Sequence, residues 1–323
     1  MNEKGEVGKQ IPLIVICGPT ASGKTALAVS LAKEVGGQIV SADSMQVYRG
    51  MDIGTAKPGM FEMDGVAHHM LDVADPCEKF SVARYCEMAE KCIRDIALSG
   101  GWPILAGGTG LYISSLTDGV KFCAEENDTA YRTELSKLLS EKGSSYLHGM
   151  LCELDPDGAA VLHPNDAKRI IRALESLKTT GLPKKERDRL SKIEGTAYKT
   201  FKIGLGCSDR EILYKRIDAR VDDMIKKGLI DEIRDLLESG VPVDSTAMQA
   251  IGYKEFIPFI EGREGLEESL ELCKRHSRNY AKRQLTWFRN ESDINWIYSD
   301  LINDPLKEAL SLLDGFLKNN ATA

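Results

Sequence analysis

IPLIVICGPTASGKTALAVSLAKEVG, residues 11–36, decides the fold of this chain. Its first seven residues are a continuous apolar, β-branched run, as expected of a buried parallel strand. Its last thirteen, KTALAVSLAKEVG, predict a helix stopped by Gly36 and Gly37. Between them GPTASGKT (18–25) fits G-x-x-x-x-G-K-[ST] without a mismatch. The flanking strand and helix are what separate a phosphate loop from a chance match. In such a loop Gly18 and Gly23 let backbone N–H groups turn inward, and the helix adds its positive end. Lys24 supplies a full charge and the Thr25 hydroxyl is a ligand for Mg²⁺. The candidate phosphate-binding segment is therefore Gly18, Pro19, Thr20, Ala21, Ser22, Gly23, Lys24 and Thr25. The loop names phosphate as the ligand and leaves hydrolysis, phosphoryl transfer and release of pyrophosphate all open.

Working outward, GQIVSA (37–42) predicts a second strand that delivers Asp43. FSVARYCEMAEKCIRDIALSGG (80–101) reads as a helix with a glycine stop, and WPILAGGTGLYI (102–113) as a strand running into a glycine turn at Thr109. Open α/β sheets bind ligands at the carboxyl ends of their strands, so the loop, Asp43 and Thr109 are expected along one edge. Past about residue 116 the pattern turns charged and helical, with YRTELSKLLSEKG and DAKRIIRALESLKTTGLP and no clear strand. KTFKIGLGC (199–207) then returns as a strand. Met224, Ile225, Leu229, Ile233, Leu236 and Leu237 predict one face of a single helix ending near Gly240. The expected fold is α/β: a P-loop NTPase-like parallel sheet flanked by helices, with a helical insertion domain. The core would occupy 10–118 and 197–318, and the insertion 119–196.

Composition narrows the setting. The first ten residues, MNEKGEVGKQ, contain no apolar signal core, and the run 11–17 is too short to span a bilayer. A cytoplasmic protein that does not engage membranes is expected. Eight cysteines (17, 77, 86, 92, 123, 152, 207, 273) form no C-x-x-C pair, and they and the five histidines (68, 69, 148, 163, 276) show no zinc-ligand spacing. Reduced thiols are expected. A net charge of −7 argues against general affinity for nucleic acid, yet KRHSRNYAKRQLTWFRN (274–290) holds six cations and no acid. That run reads either as a solvated helix face or, with Tyr280, Trp287 and Phe288 interleaved, as an RNA contact.

The segments after the loop separate the candidate chemistries. N-K-x-D is absent, and DPDG (155–158) fits a GTPase switch only in the wrong place. A motor ATPase needs a strand ending in a metal-binding Asp; PILAGGTG offers Thr109, although Asp43 could serve. A small-molecule kinase needs an arginine-bearing lid, and arginines in the insertion keep that reading open.

SADSMQVYRGMDIGTAKP (41–58), with GPTASGKT, HHMLDV (68–73), GGTGLYI (107–113), HPNDAKRIIRALE (163–175) and RQLTWFR (283–289), resembles the bacterial tRNA dimethylallyltransferases, the isopentenyl-diphosphate:tRNA isopentenyltransferase family. The resemblance runs from about residue 13 to 296 with its motifs in family order. The adenylate isopentenyltransferases, which make cytokinins from free nucleotide, share the start; the insertion and basic tail favour tRNA.

The resemblance implies transfer of a dimethylallyl group from dimethylallyl diphosphate to the exocyclic amine of an adenosine beside the tRNA anticodon, with Mg²⁺. The loop would then hold the departing pyrophosphate. Asp43 matches the family's base, against bland readings as a helix cap or an outer Mg²⁺ partner. Thr109 matches the threonine that bonds the bridging oxygen, against a helix-capping role. Arg220 matches an arginine near the diphosphate, against a surface ion pair with Asp222 or Asp223. Asp43, Ser44, Met45 and Gln46 would meet the target adenine, Gln46 through a bidentate amide. Asn165, Asp166, Ala167, Lys168 and Arg169 match a second tRNA segment, and Arg278, Lys282 and Arg283 are the expected contacts of the basic run. The partners implied are the anticodon stem-loop and the allylic diphosphate, and the chain is expected to be a monomer.

Overall fold

The computed structural model describes residues 10–120, 129–191 and 196–320, so Cys123 and the first nine residues lie outside the described residues. The chain divides into two compact units, Met1–Thr117 with Ala197–Ala323, and Asp118–Thr196.

In the first unit the chain alternates strand and helix: β1 (Ile11–Cys17), α1 (Lys24–Val35), β2 (Gly37–Ser41), α2 (Met60–Met63), β3 (His68–His69), α3 (Val82–Leu98), β4 (Trp102–Gly107) and α4 (Gly110–Thr117). The second unit is helical: α5 (Thr129–Lys142), α6 (Ser144–Leu154), α7 (Pro156–Ala160), α8 (Ala167–Thr180) and α9 (Lys184–Ser191). Its core joins Leu135, Leu147, Leu151, Ala159, Ile170 and Leu174. Buried Asp155, of the DPDG stretch, accepts from the Gly158 and Lys184 N–H groups, so it caps α7.

The first unit resumes with β5 (Tyr198–Gly206), α10 (Arg210–Lys226), α11 (Leu229–Glu238), α12 (Ile257–Ile260), α13 (Leu266–Arg289), β6 (Ile294–Tyr298) and α14 (Pro305–Asn320). The six strands form one parallel sheet in the order β3-β2-β4-β1-β5-β6. Buried on both faces, β1 alternates its side chains between two cores. Leu13, Val15 and Cys17 join the layer containing α3, α4 and α11, while Ile14 and Ile16 meet α1 and α14.

Two strands escape the sequence pattern. β3 is two residues long, and β6 at the other edge carries Trp296 and Tyr298 half-exposed, so neither gives a periodic signal. The single helix expected through Leu237 is two helices. Gly228 adopts φ 97° between α10 and α11, a left-handed turn that side-chain-bearing residues resist. Met224, Leu229, Ile233 and Leu236 still reach the same core from either side of the break.

Candidate active site

Register brings the candidates together. Ser41 of β2 pairs with Ala106 of β4, and Cys17 of β1 with Gly107, so the residues just beyond these strands emerge side by side. The Ala42 N–H donates to the Ala106 carbonyl and the Thr109 N–H to the Ala42 carbonyl, which sets Asp43 beside Thr109. Only glycine fits at 107: a Cβ there would lie 2.2 Å from the Ala42 oxygen.

The loop between β1 and α1 is built tightly on β5. Gly18 has φ 140°, and a Cβ on it would meet the Leu205 carbonyl at 2.2 Å. α1 is preceded by Gly23 at its N-cap, which offers no side-chain cap, so the helix's first N–H groups are available to an anion. Ser22, 2 % exposed, has a hydroxyl with no hydrogen-bond partner. Lys24 Nζ donates back to the Pro19 carbonyl. Burial, reinforced by Arg220, pulls its pKa down to about 8 against the opposing pull of Asp43. Arg220 is likewise held below its ordinary value by burial, again against Asp43.

A cavity of about 260 Å³ opens beside the loop. Its polar wall includes Thr20, Asp43, Ser44, Thr55, Arg220 and Tyr280; Ile217, Val221, Met224, Ala250 and Cys273 form an apolar one. The Asp43 Oδ1 atom accepts from the Met45 N–H at 2.9 Å, so one oxygen braces the following turn. The Thr109 hydroxyl accepts from the Ser44 N–H at 3.0 Å. The Arg220 Nη2 atom donates to the Thr55 carbonyl at 3.2 Å, while Asp222 and Asp223 pair with Lys274 and Lys227, so the surface ion pair weighed for Arg220 does not form.

Two residues of α13 take roles at the site that the sequence did not assign them. Gln284 of α13, 7 % exposed, accepts from the Thr20 N–H at 2.9 Å and donates to the Gly108 carbonyl at 2.8 Å. It thereby ties the phosphate loop to the glycine turn of β4. Burial together with Asp43 pushes the hydroxyl of Tyr280, near Thr109 and Gln284, up to about 12. Their signals were their place in the basic run and, for Gln284, the RQLTWFR stretch.

Other expected contacts stand differently. The Gln46 amide is committed inside the protein, accepting from Ser41 Oγ and donating to the Thr55 and Ala56 carbonyls. A bidentate contact to a base would first break these bonds. Arg278 pairs with Asp218 at 2.6 Å and Lys274 with Asp222 at 2.7 Å, so the run is locally neutralised although it contains no acid itself. Lys282 and Arg283 remain exposed, whereas Phe288 is core. In the helical unit Asp166 caps α8 through the Arg169 N–H and pairs with the Arg169 side chain, leaving Lys168 exposed and Asn165 exposed just before the helix.

Metal chemistry has a narrow footing. Among the described residues no group of three or more His, Cys, Asp or Glu side chains could hold an ion. The exposed Thr25 hydroxyl at the mouth of the loop and the unpartnered Ser22 hydroxyl fit a Mg²⁺ bound chiefly through phosphate oxygens and water. The seven described cysteines are free thiols. Among the described residues no helix is long and apolar enough to cross a membrane.

Comparison with known proteins gives the cavity a lineage. The family model described as IPP transferase matches residues 46–291, and one described as Isopentenyl transferase matches residues 11–78. The tRNA dimethylallyltransferase of Geobacillus thermodenitrificans is 47 % identical over 304 residues, 94 % of this chain and 95 % of its own. That of Bacillus mycoides is 47 % identical over 315 residues, 97 % and 98 % of the two chains. Among solved structures, the tRNA isopentenylpyrophosphate transferase of Bacillus halodurans superposes with a TM-score of 0.70 at 42 % identity, covering 97 % of both chains. A eukaryotic dimethylallyltransferase, solved acting on tRNA, gives 0.81 at 30 % identity over 95 % of this chain and 80 % of that one. With relatives of this identity over nearly its whole length, and a parallel six-stranded sheet in common with their structures, the chain belongs to the tRNA dimethylallyltransferase, or IPP transferase, family.

Proposed function

We propose that the protein transfers the dimethylallyl group of dimethylallyl diphosphate to the exocyclic amine of an adenosine beside the tRNA anticodon, releasing diphosphate. One observation carries this reading: a single cavity is lined by Thr20 of the phosphate loop, the Arg220 guanidinium, the Asp43 carboxylate and an apolar wall. The apolar wall suits a five-carbon allyl group. Lys24, Arg220 and the open N-terminus of α1 suit the diphosphate, and Asp43, which lines the same cavity, suits the base.

In this scheme the allylic C–O bond breaks and its electron pair leaves on the diphosphate. Negative charge grows there, facing Lys24, Arg220 and the loop N–H groups, which stabilise the transition state more than the bound substrate. Mg²⁺ would be held by Thr25 and would further stabilise that charge when bound. The adenine amine, a weak nucleophile, forms the new C–N bond and gives its proton to Asp43. Such proton transfer is worth about two to four powers of ten in rate. The Thr109 hydroxyl, which accepts from the Ser44 N–H, would hydrogen-bond the bridging oxygen. Reaching Asp43 requires the adenosine to leave its stack, at a cost lowest in a loop.

The test supplies radiolabelled dimethylallyl diphosphate and Mg²⁺ to an unmodified anticodon stem-loop, with AMP in parallel and Asp43→Ala as control. Label on the stem-loop alone, lost with Asp43→Ala, is the expected result. Label on AMP would move the protein to the adenylate branch, and no label on either would overturn the reading.

A further inference from the structure

Glu232, on the first turn of α11, makes four hydrogen bonds that no element of the proposed chemistry calls on. Its Oε2 atom accepts from the N–H groups of Asp52 at 2.9 Å and Ile53 at 2.7 Å. Its Oε1 atom accepts from the Gly54 N–H at 3.1 Å and from the Tyr253 hydroxyl at 2.6 Å. Three successive backbone N–H groups closing on one carboxylate form an anion-binding nest already filled by the protein itself. Gly54 packs closely on Tyr253, leaving no room for a side chain: a Cβ there would lie 2.4 Å from the ring.

The turn leads directly into the cavity, where Gly54 and Thr55 are both lining residues. The Thr55 carbonyl accepts from Arg220 at 3.2 Å and from Gln46 at 3.3 Å. The Thr55 hydroxyl closes back on the Met51 carbonyl at 2.7 Å, so residues 51–55 move as one piece. The position of the Arg220 guanidinium thus depends on a carbonyl whose position depends on Glu232.

We infer that Glu232 is a positioning residue for the reaction: through residues 52–55 it aims Arg220 at the diphosphate. The inference rests on the proposed function. Replacing the carboxylate by an amide turns an N–H donor toward N–H donors and loosens the turn without changing its size. Misplacement of a binding group by about an ångström can cost on the order of 100-fold in rate.

The experiment compares wild type, Glu232→Gln, Arg220→Lys and the double variant, reading pyrophosphate affinity by calorimetry, transfer kinetics on the stem-loop and thermal melting. Glu232→Gln is expected to weaken pyrophosphate binding about tenfold and lower kcat/KM about 10- to 100-fold at temperatures well below its melting point. The double variant should be little worse than Arg220→Lys alone, since the two act as one unit. Additive losses, or a lowered melting point with unchanged affinity and kinetics, would overturn the assignment and leave Glu232 a structural residue. Should Glu232→Gln not fold, Tyr253→Phe removes one of the four bonds within the same shape. It should give a smaller loss in the same two constants, and no change in either would again overturn the inference. Wild-type protein that neither binds pyrophosphate nor transfers label would instead sink the proposed function.

Discussion

Lys24 is charged by necessity if it meets a diphosphate, yet its surroundings work against the charge. Burial and Arg220 bring its pKa from 10.5 to about 8 in the free protein, where Asp43 only partly compensates. This is the reverse of the usual lysine that gains a partner on folding. The cost of holding the ammonium is fully present below pH 8 and is relieved as pH rises from 8 to 10.5, so this group's contribution to stability increases across that window. A bound diphosphate returns the missing counter-charge and raises the pKa again. Affinity for dimethylallyl diphosphate without acceptor should therefore be level up to about pH 8 and fall by up to about tenfold per unit above it, with proton uptake on binding. Calorimetry in buffers of different ionisation enthalpy reads both. Lys24→Met should weaken binding, abolish the break near pH 8 and raise the melting point of the unliganded protein at neutral pH. A break that survives Lys24→Met would assign the titration to another group.

At the scale of the element, α13 shows why charge read along a chain misleads. Its seventeen-residue basic stretch contains no acid, but α10 lies against it and supplies Asp218 and Asp222 to Arg278 and Lys274. Lys282 and Arg283 are exposed and form no ion pair that would neutralise them among the described residues, although Arg283 also stacks near the Tyr280 ring. If the helix meets RNA, each free cation should add about 0.7 to 0.9 to the salt slope of binding, and an already paired one much less. Lys282→Ala with Arg283→Ala should flatten the slope for a stem-loop by about one to two, while adding Arg278→Ala should change it little. Equal contributions from all three would mean that RNA displaces Asp218. The inner face of the same helix carries Gln284 and Tyr280 into the site, a role set by packing against the phosphate loop and β4.

At the scale of the molecule, what was legible follows the range of the interactions. β1, β2, β4 and β5 announce themselves by apolar runs, and the loop glycines by a backbone that only glycine tolerates, so the edge carrying Asp43 and Thr109 could be read directly. β3 and β6 are short edge strands, and the Gly228 break interrupts a helical period without changing which residues face the core. The Glu232 nest and the Gln284 bridge join residues roughly 180 and 260 positions apart; no local period encodes such pairs. The insertion was visible as a helical tract, and its packing has a consequence for cooperativity. Among the described residues, the cluster around Leu147 draws on Asp118–Thr196 and the other clusters on the first unit. Leu147, fully buried, leaves a cavity when cut to alanine, at about 2 to 5 kcal/mol. Leu147→Ala should therefore lower the unfolding transition of the helical unit alone and leave pyrophosphate affinity at its wild-type value. Calorimetric melting resolves whether one transition moves or two, and binding measured below both reports on the phosphate loop. A single transition that moves as a whole, with affinity falling alongside it, would show that the two cores unfold as one cooperative body.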